Sequence, residues 1–115
     1  MRRSGSRRRR GNANGATTRA RRKARVSSES DLEREARTFV TRQGGLFLKL
    51  QGTAGWPDRL VLLPNGCSFF VEFKRIGGQL SPLQRHYLQE LKLLGYEAFE
   101  VDNIHLFKRL VNERR

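Results

Sequence analysis

From residue 29 onward, apolar positions switch between helical and strand spacing. Leu32, Ala36, Phe39 and Val40 recur along one helix face. Ser28-Glu29-Ser30-Asp31 and Ser30-Asp31-Leu32-Glu33 both fit a capping box, so a helix is predicted to begin there and to stop at Gly44-Gly45. Leu46 to Leu50 alternates as a strand does, and Gln51 to Gly55 is a loop leading to Trp56-Pro57-Asp58. Arg59–Leu63 and Cys67–Lys74 read as a second and third strand, with Pro64-Asn65-Gly66 as a hairpin turn between them. After a loop over Ile76 to Gln79, Ser81-Pro82-Leu83-Gln84 opens a second helix, with Ser as N-cap and Gln three residues on. Its predicted inward stripe is Leu83, Tyr87, Leu91 and Leu94, and Gly95 ends it. Tyr96 to Val101 is a fourth strand. Asp102 or Asn103 then caps a last helix carrying Ile104, Phe107, Leu110 and Val111. The order α-β-β-β-α-β-α predicts an α/β (α+β) domain in which helices cover one mixed sheet.

Charge divides the chain differently. Of its 115 residues, 24 are Lys or Arg and 11 are Asp or Glu, a formal net charge of +13. Residues 1–28 hold 11 of the basic groups and no acid, so residues 29–115 carry a net of only +2. With Met1, four alanines and Val26 as its apolar content, the first segment cannot offset the entropy of ordering it and reads as a disordered Arg-rich tail. Arg7, Arg8, Arg9 and Arg10, and Arg21, Arg22 and Lys23, form clusters suited to phosphate contacts or to a localisation signal. A solubilising extension is the plainer alternative. A transit peptide would need bulky apolar residues on one helix face, and these are missing.

Several classes drop out. No apolar run approaches the roughly 18 residues of a membrane span, and one cysteine, Cys67, cannot staple the fold internally. With only His86 and His105 beside it, structural zinc has too few ligands. No internal repeat is present.

The hairpin carries the chemistry. Proline, asparagine and glycine in sequence suit a type I turn with a G1 bulge, which sets Leu63 opposite Cys67 and, counting back, Leu60 opposite Phe70 and Asp58 opposite Glu72. A two-residue loop would instead bring Arg59 opposite Glu72 and turn Asp58 away. In the expected register two carboxylates face one another, with Lys74 on the same side of the sheet two residues beyond Glu72. Such a pair repels unless a cation intervenes. A salt bridge to Lys74 or Arg59 is one remedy. A hard divalent cation, which takes one or two carboxylates and keeps its waters, is the other. With a lysine alongside to stabilise a phosphoryl oxygen or a water, the second remedy points to metal-assisted hydrolysis of a phosphodiester.

At these residues the sequence resembles the PD-(D/E)XK nuclease superfamily and, within it, the virus-type replication-repair nuclease domain, VRR-NUC, in its stand-alone phage and bacterial form. The likeness spans about residues 29–107 and rests on Gly55-Trp56-Pro57-Asp58-Arg59, Phe70-Val71-Glu72-Phe73-Lys74, Leu80-Ser81-Pro82-Leu83-Gln84 and Leu94-Gly95-Tyr96. It implies a restriction-endonuclease-like mixed sheet flanked by helices, with Mg²⁺ or Mn²⁺ held by Asp58, Glu72 and the backbone carbonyl of Phe73, and a water positioned by Lys74. It also implies a metal-site glutamate on the first helix, where Glu33 fits the spacing best and Glu29 second. Gln84 matches the family's glutamine, although the capping box accounts for that residue equally well.

Lys49, Trp56 and Arg75, with Arg85 and Lys92 behind them, are the remaining candidates for nucleic-acid contacts; a solvated lysine and a packed tryptophan are the plainer readings of the first two. The expectation is a metal-dependent DNA endonuclease acting on branched or junction-containing DNA, as Holliday-junction resolvases do, and working as a homodimer. It would lie in the cytoplasm of a bacterial or phage-infected cell, or in the nucleus of a eukaryotic one. The competing expectation is a non-catalytic nucleic-acid-binding protein on the same fold.

Overall fold

The computed structural model describes residues 28–115, so the arginine clusters of the tail lie outside the described residues. Helix α1 spans Glu29–Arg42, and Ser28 is its N-cap, accepting the Asp31 N–H at 3.1 Å. Strands β1 (Leu46–Lys49), β2 (Arg59–Leu62) and β3 (Ser68–Phe73) follow, then helix α2 (Pro82–Leu93), strand β4 (Ala98–Val101) and helix α3 (Ile104–Arg114). The seven elements occur in the expected order. The strands lie side by side as β1-β2-β3-β4; the first two pairings are antiparallel and β3–β4 is parallel. A parallel pair cannot be joined by a tight turn, and α2 supplies the crossover.

Alternation along the strands makes three layers. Phe47, Val61, Phe69, Val71, Phe73 and Val101 face α1 and α3, where they meet Leu32, Ala36, Val40, Phe107, Leu110 and Val111. On the other face Phe70 and Ala98 meet Leu80, Leu88 and Leu91 from α2 and the loop before it.

Two expectations need correction. The inward stripe of α2 is Leu88 and Leu91, while Leu83 and Leu94 are exposed. The helix is rotated because Gln84 shares the Leu88/Leu91 face and turns to the sheet, where it has a polar partner. The fourth strand starts at Ala98, not Tyr96. Tyr96 closes the end of α2 instead, its N–H bonding to the Leu91 carbonyl at 2.9 Å, with Gly95 left-handed before it.

The hairpin forms as expected. Gly66 has φ +87°, its N–H bonds back to the Leu63 carbonyl, and Leu63 donates to Cys67 at 2.8 Å. Leu60 pairs with Phe70 and Arg59 with Val71. One more step along the ladder sets Asp58 across from Glu72.

Candidate metal centre

Asp58 sits one residue before β2, at the end of a tight approach. Pro57 is fully buried, and the Asp58 carbonyl accepts the Leu50 N–H at 2.9 Å, one ladder bond beyond β1. Gly55 has φ +86°, and a Cβ there would lie 2.5 Å from Leu83 Cγ, so both backbone conformation and space demand glycine. The side chain of Asp58 accepts the Phe73 N–H at 3.3 Å.

Glu72 is only 3% exposed. One of its oxygens, Oε2, accepts from the Gln84 side-chain amide at 3.0 Å, while Oε1 is buried with no hydrogen-bond partner. Gln84 serves two structures at once. Its oxygen accepts the Ser81 N–H at 2.8 Å, completing the capping box of α2, and this leaves its NH₂ to donate to Glu72. The capping-box account of Gln84 is realised, and the same side chain also reaches Glu72.

The electrostatics follow from burial. Desolvation, then the charge of Asp58, pushes the Glu72 carboxyl up to about 8, with Glu29 adding to the rise. Asp58 is raised as well, chiefly by burial, and the Glu33 charge acts in the same direction. Neither carboxylate has a cationic partner at ion-pair distance among the described residues. Lys74 pairs with Glu100 and donates to the Gly78 carbonyl at 3.2 Å. Arg59, only 8% exposed, donates through Nε to Glu33 at 2.9 Å and lies over the Phe47 ring at 5.2 Å. Both side chains that could have neutralised the pair are engaged elsewhere. A buried carboxylate oxygen without a donor, beside a second carboxylate of raised pKa, fits a hard divalent cation. Among the described residues no group of three His, Cys, Asp or Glu is placed to bind a metal, so side chains at this centre could offer a cation two carboxylates and no third.

The other candidates fall at varying distances from this centre. Glu33 is committed to Arg59, and Glu29 is exposed at the start of α1. Lys49 is exposed and paired in register with Arg59. Trp56 is 41% exposed and packs on Tyr87 of α2, with ring centroids 5.9 Å apart. Arg75 is exposed just beyond Lys74. Glu100, the partner of Lys74, escaped sequence reasoning: the register of a parallel pair is not fixed by a turn, so nothing in the sequence placed β4 residues beside β3 residues.

A mixed sheet between helices, with an aspartate ahead of one strand and a Glu-Phe-Lys run on its neighbour, defines a restriction-endonuclease-like nuclease fold. No protein-family model matches the sequence. A protein of Acyrthosiphon pisum secondary endosymbiont phage 1, described as "Putative nuclease p44", is 36% identical over 81 residues, covering 69% of this chain and 87% of that protein. A solved structure described as a VRR_NUC domain superposes with a TM-score of 0.66 at 28% identity, covering 76% of this chain and 97% of the other. The chain belongs to the VRR-NUC family.

Proposed function

We propose that the protein is a magnesium- or manganese-dependent endonuclease that hydrolyses phosphodiester bonds in DNA, with branched or junction-containing DNA as substrate. The observation that carries this reading is the pair formed by buried Glu72 and half-buried Asp58, with both nearby cationic side chains engaged elsewhere. Asp58, Glu72 and the Phe73 carbonyl are the groups that would hold the metal, which when bound supplies Lewis acidity and a more acidic water. The protein's own part is positioning and charge. Gln84 fixes one oxygen of Glu72 and leaves the other free, and the Phe73 N–H fixes Asp58. Lys74, at the rim, offers a positive charge to a phosphoryl oxygen as negative charge develops there.

A homodimer suits the surface. Leu46 and Leu48, 58% and 39% exposed, lie with Leu60 and Leu62 on the α2 side of the sheet, beyond the part that α2 covers. This patch carries no charge, so a second copy meets it without the repulsion expected elsewhere on a basic chain, and two-fold symmetry presents two sites to two strands. The phage relative favours the cytoplasm of a bacterial host as the place of action.

The test is cleavage of a labelled four-way junction and its matching linear duplex with Mg²⁺, Mn²⁺ or EDTA, for wild type, Asp58→Ala and Lys74→Ala. Paired, metal-dependent cuts near the branch, lost in both variants, are expected. Equal cutting of both substrates would discard the junction preference, and tight binding without cleavage under any metal would leave only a nucleic-acid-binding protein. Sedimentation of wild type beside a Leu46→Glu/Leu48→Glu variant checks the dimer.

A further inference from the structure

The parallel register of β3 and β4 sets Glu72 opposite Glu100 on the α2 side of the sheet. Like charges on one rung weaken a ladder. Lys74 lies two residues beyond Glu72, held in register by its N–H bond to the Val101 carbonyl at 3.0 Å, so its side chain leaves the same face. On that face two acidic destinations flank it in the ladder: Glu72 with its neighbour Asp58, and Glu100. It takes Glu100, and Arg85 approaches the other oxygen of that glutamate at 3.9 Å. Glu100, about one-quarter exposed, therefore has two cations beside it, while the more deeply buried Glu72 and its neighbour Asp58 have none.

An ammonium and a divalent cation are alternative occupants of one carboxylate pair. Charges in a buried site interact more strongly than near water, so a lysine released from Glu100 gains most by turning to Asp58 and Glu72. There it fills the space and neutralises the charge that would otherwise bind a metal.

We propose that Glu100 is a positioning residue that keeps the Lys74 ammonium out of the Asp58–Glu72 pocket and so reserves that pocket for a divalent cation. The inference rests on the metal-dependent reading above and adds to it a residue that acts through Lys74 and does not touch the metal.

The experiment is Mn²⁺ binding to the full-length chain without nucleic acid, followed by calorimetry and by the electron paramagnetic resonance of free Mn²⁺. Four proteins are compared: wild type, Glu100→Gln, Lys74→Met and the double variant. Glu100→Gln removes a charge at a partly exposed position with little change of shape, and circular dichroism of each variant confirms the fold. Glu100→Gln is expected to raise the Mn²⁺ Kd about tenfold. The double variant is expected to bind within about twofold of Lys74→Met, because without the ammonium there is nothing to divert.

Wild type that binds Mn²⁺ together with an unchanged Glu100→Gln would overturn this inference and leave the metal reading standing. Weakened binding in Glu100→Gln that Lys74→Met does not restore would overturn it too, showing that Glu100 acts on the metal directly through its charge. No Mn²⁺ binding by wild type would overturn both readings.

Discussion

Replacing Glu72 by glutamine separates what this residue costs the fold from what it contributes to the site. Its carboxyl is pushed up to about 8, against 4.5 for an ordinary glutamate, first by burial and then by Asp58. Because the folded protein holds this proton more tightly than the unfolded chain does, the stability linked to it is fully present below pH 4.5. That stability declines as pH rises towards 8 and is gone above it. At about 1.4 kcal/mol per pH unit across the window, the ionisable side chain costs about 3 kcal/mol at pH 7. For a domain of this size that corresponds to a Tm shift of roughly 10 °C or more.

The substituted amide has no proton to lose and can still accept from Gln84. In EDTA, Glu72→Gln is therefore expected to match wild type near pH 4.5 and to melt at a clearly higher temperature at pH 7–8. The assay is thermal unfolding of both proteins from pH 4.5 to 8.5, read as the difference between the two curves so that titrations common to both cancel. Adding Mn²⁺ should flatten the wild-type curve and leave the variant unmoved. Parallel curves for the two proteins, or a wild type that gains stability on the variant as pH rises, would refute the electrostatic account of the site.

Other perturbations test the scaffold. Gly55→Ala combines a left-handed backbone with a Cβ 2.5 Å from Leu83 Cγ, so a loss of about 2 kcal/mol is expected in urea unfolding, together with reduced cleavage as Asp58 shifts. Arg114→Met removes a two-point pairing with Glu97 at 2.7 and 3.1 Å and a cation 4.9 Å from the Phe99 ring centroid. Because Glu97 is half exposed, the expected loss is only about 1 kcal/mol, and the variant's deficit should shrink in high salt. Glu33→Gln leaves the nearly buried Arg59 guanidinium short of its carboxylate and should cost about 2 kcal/mol, whereas Glu29→Gln, at an exposed position, should be close to neutral in the same denaturation assay. A chain lacking residues 1–27 keeps the Ser28 cap; if the tail neutralises about five to eight phosphates, log K against log salt should run at about −5 to −7 for the full chain and be shallower for the truncated one.

What the sequence disclosed depended on whether a local signal existed. Pro64-Asn65-Gly66 is such a signal, because turn chemistry counts residues and so fixed Asp58 opposite Glu72. The capping box at Ser81 likewise placed one helix start to the residue, and of the two caps open for the first helix, Ser28 and Ser30, the structure takes Ser28. Of the inward stripe expected for α2, Leu91 is buried, whereas Leu83 and Leu94 are exposed and Leu88 takes the inward place given to Tyr87, because both sets are equally regular apolar stripes. The sheet settles the choice, with Phe70 and Ala98 taking Leu88 and Leu91 and Glu72 taking Gln84 on the same helix face. The ion pairs Arg59–Glu33 and Lys74–Glu100 were invisible for a related reason: each joins elements whose relative placement is set by packing of the whole domain and not by any short stretch of chain.

The shared amide of Gln84 bears on how sequence variation in this family is interpreted. A capping box accepts glutamate or glutamine at its third helical position, but only glutamine also carries a donor for Glu72, whereas glutamate would bring a further negative charge to an already crowded pair. Folding alone thus admits two residues at position 84, whereas the bond to Glu72 admits one. A glutamate there would keep the start of α2 intact and still set a third negative charge beside Asp58 and Glu72, so helix stability by itself does not report on this contact.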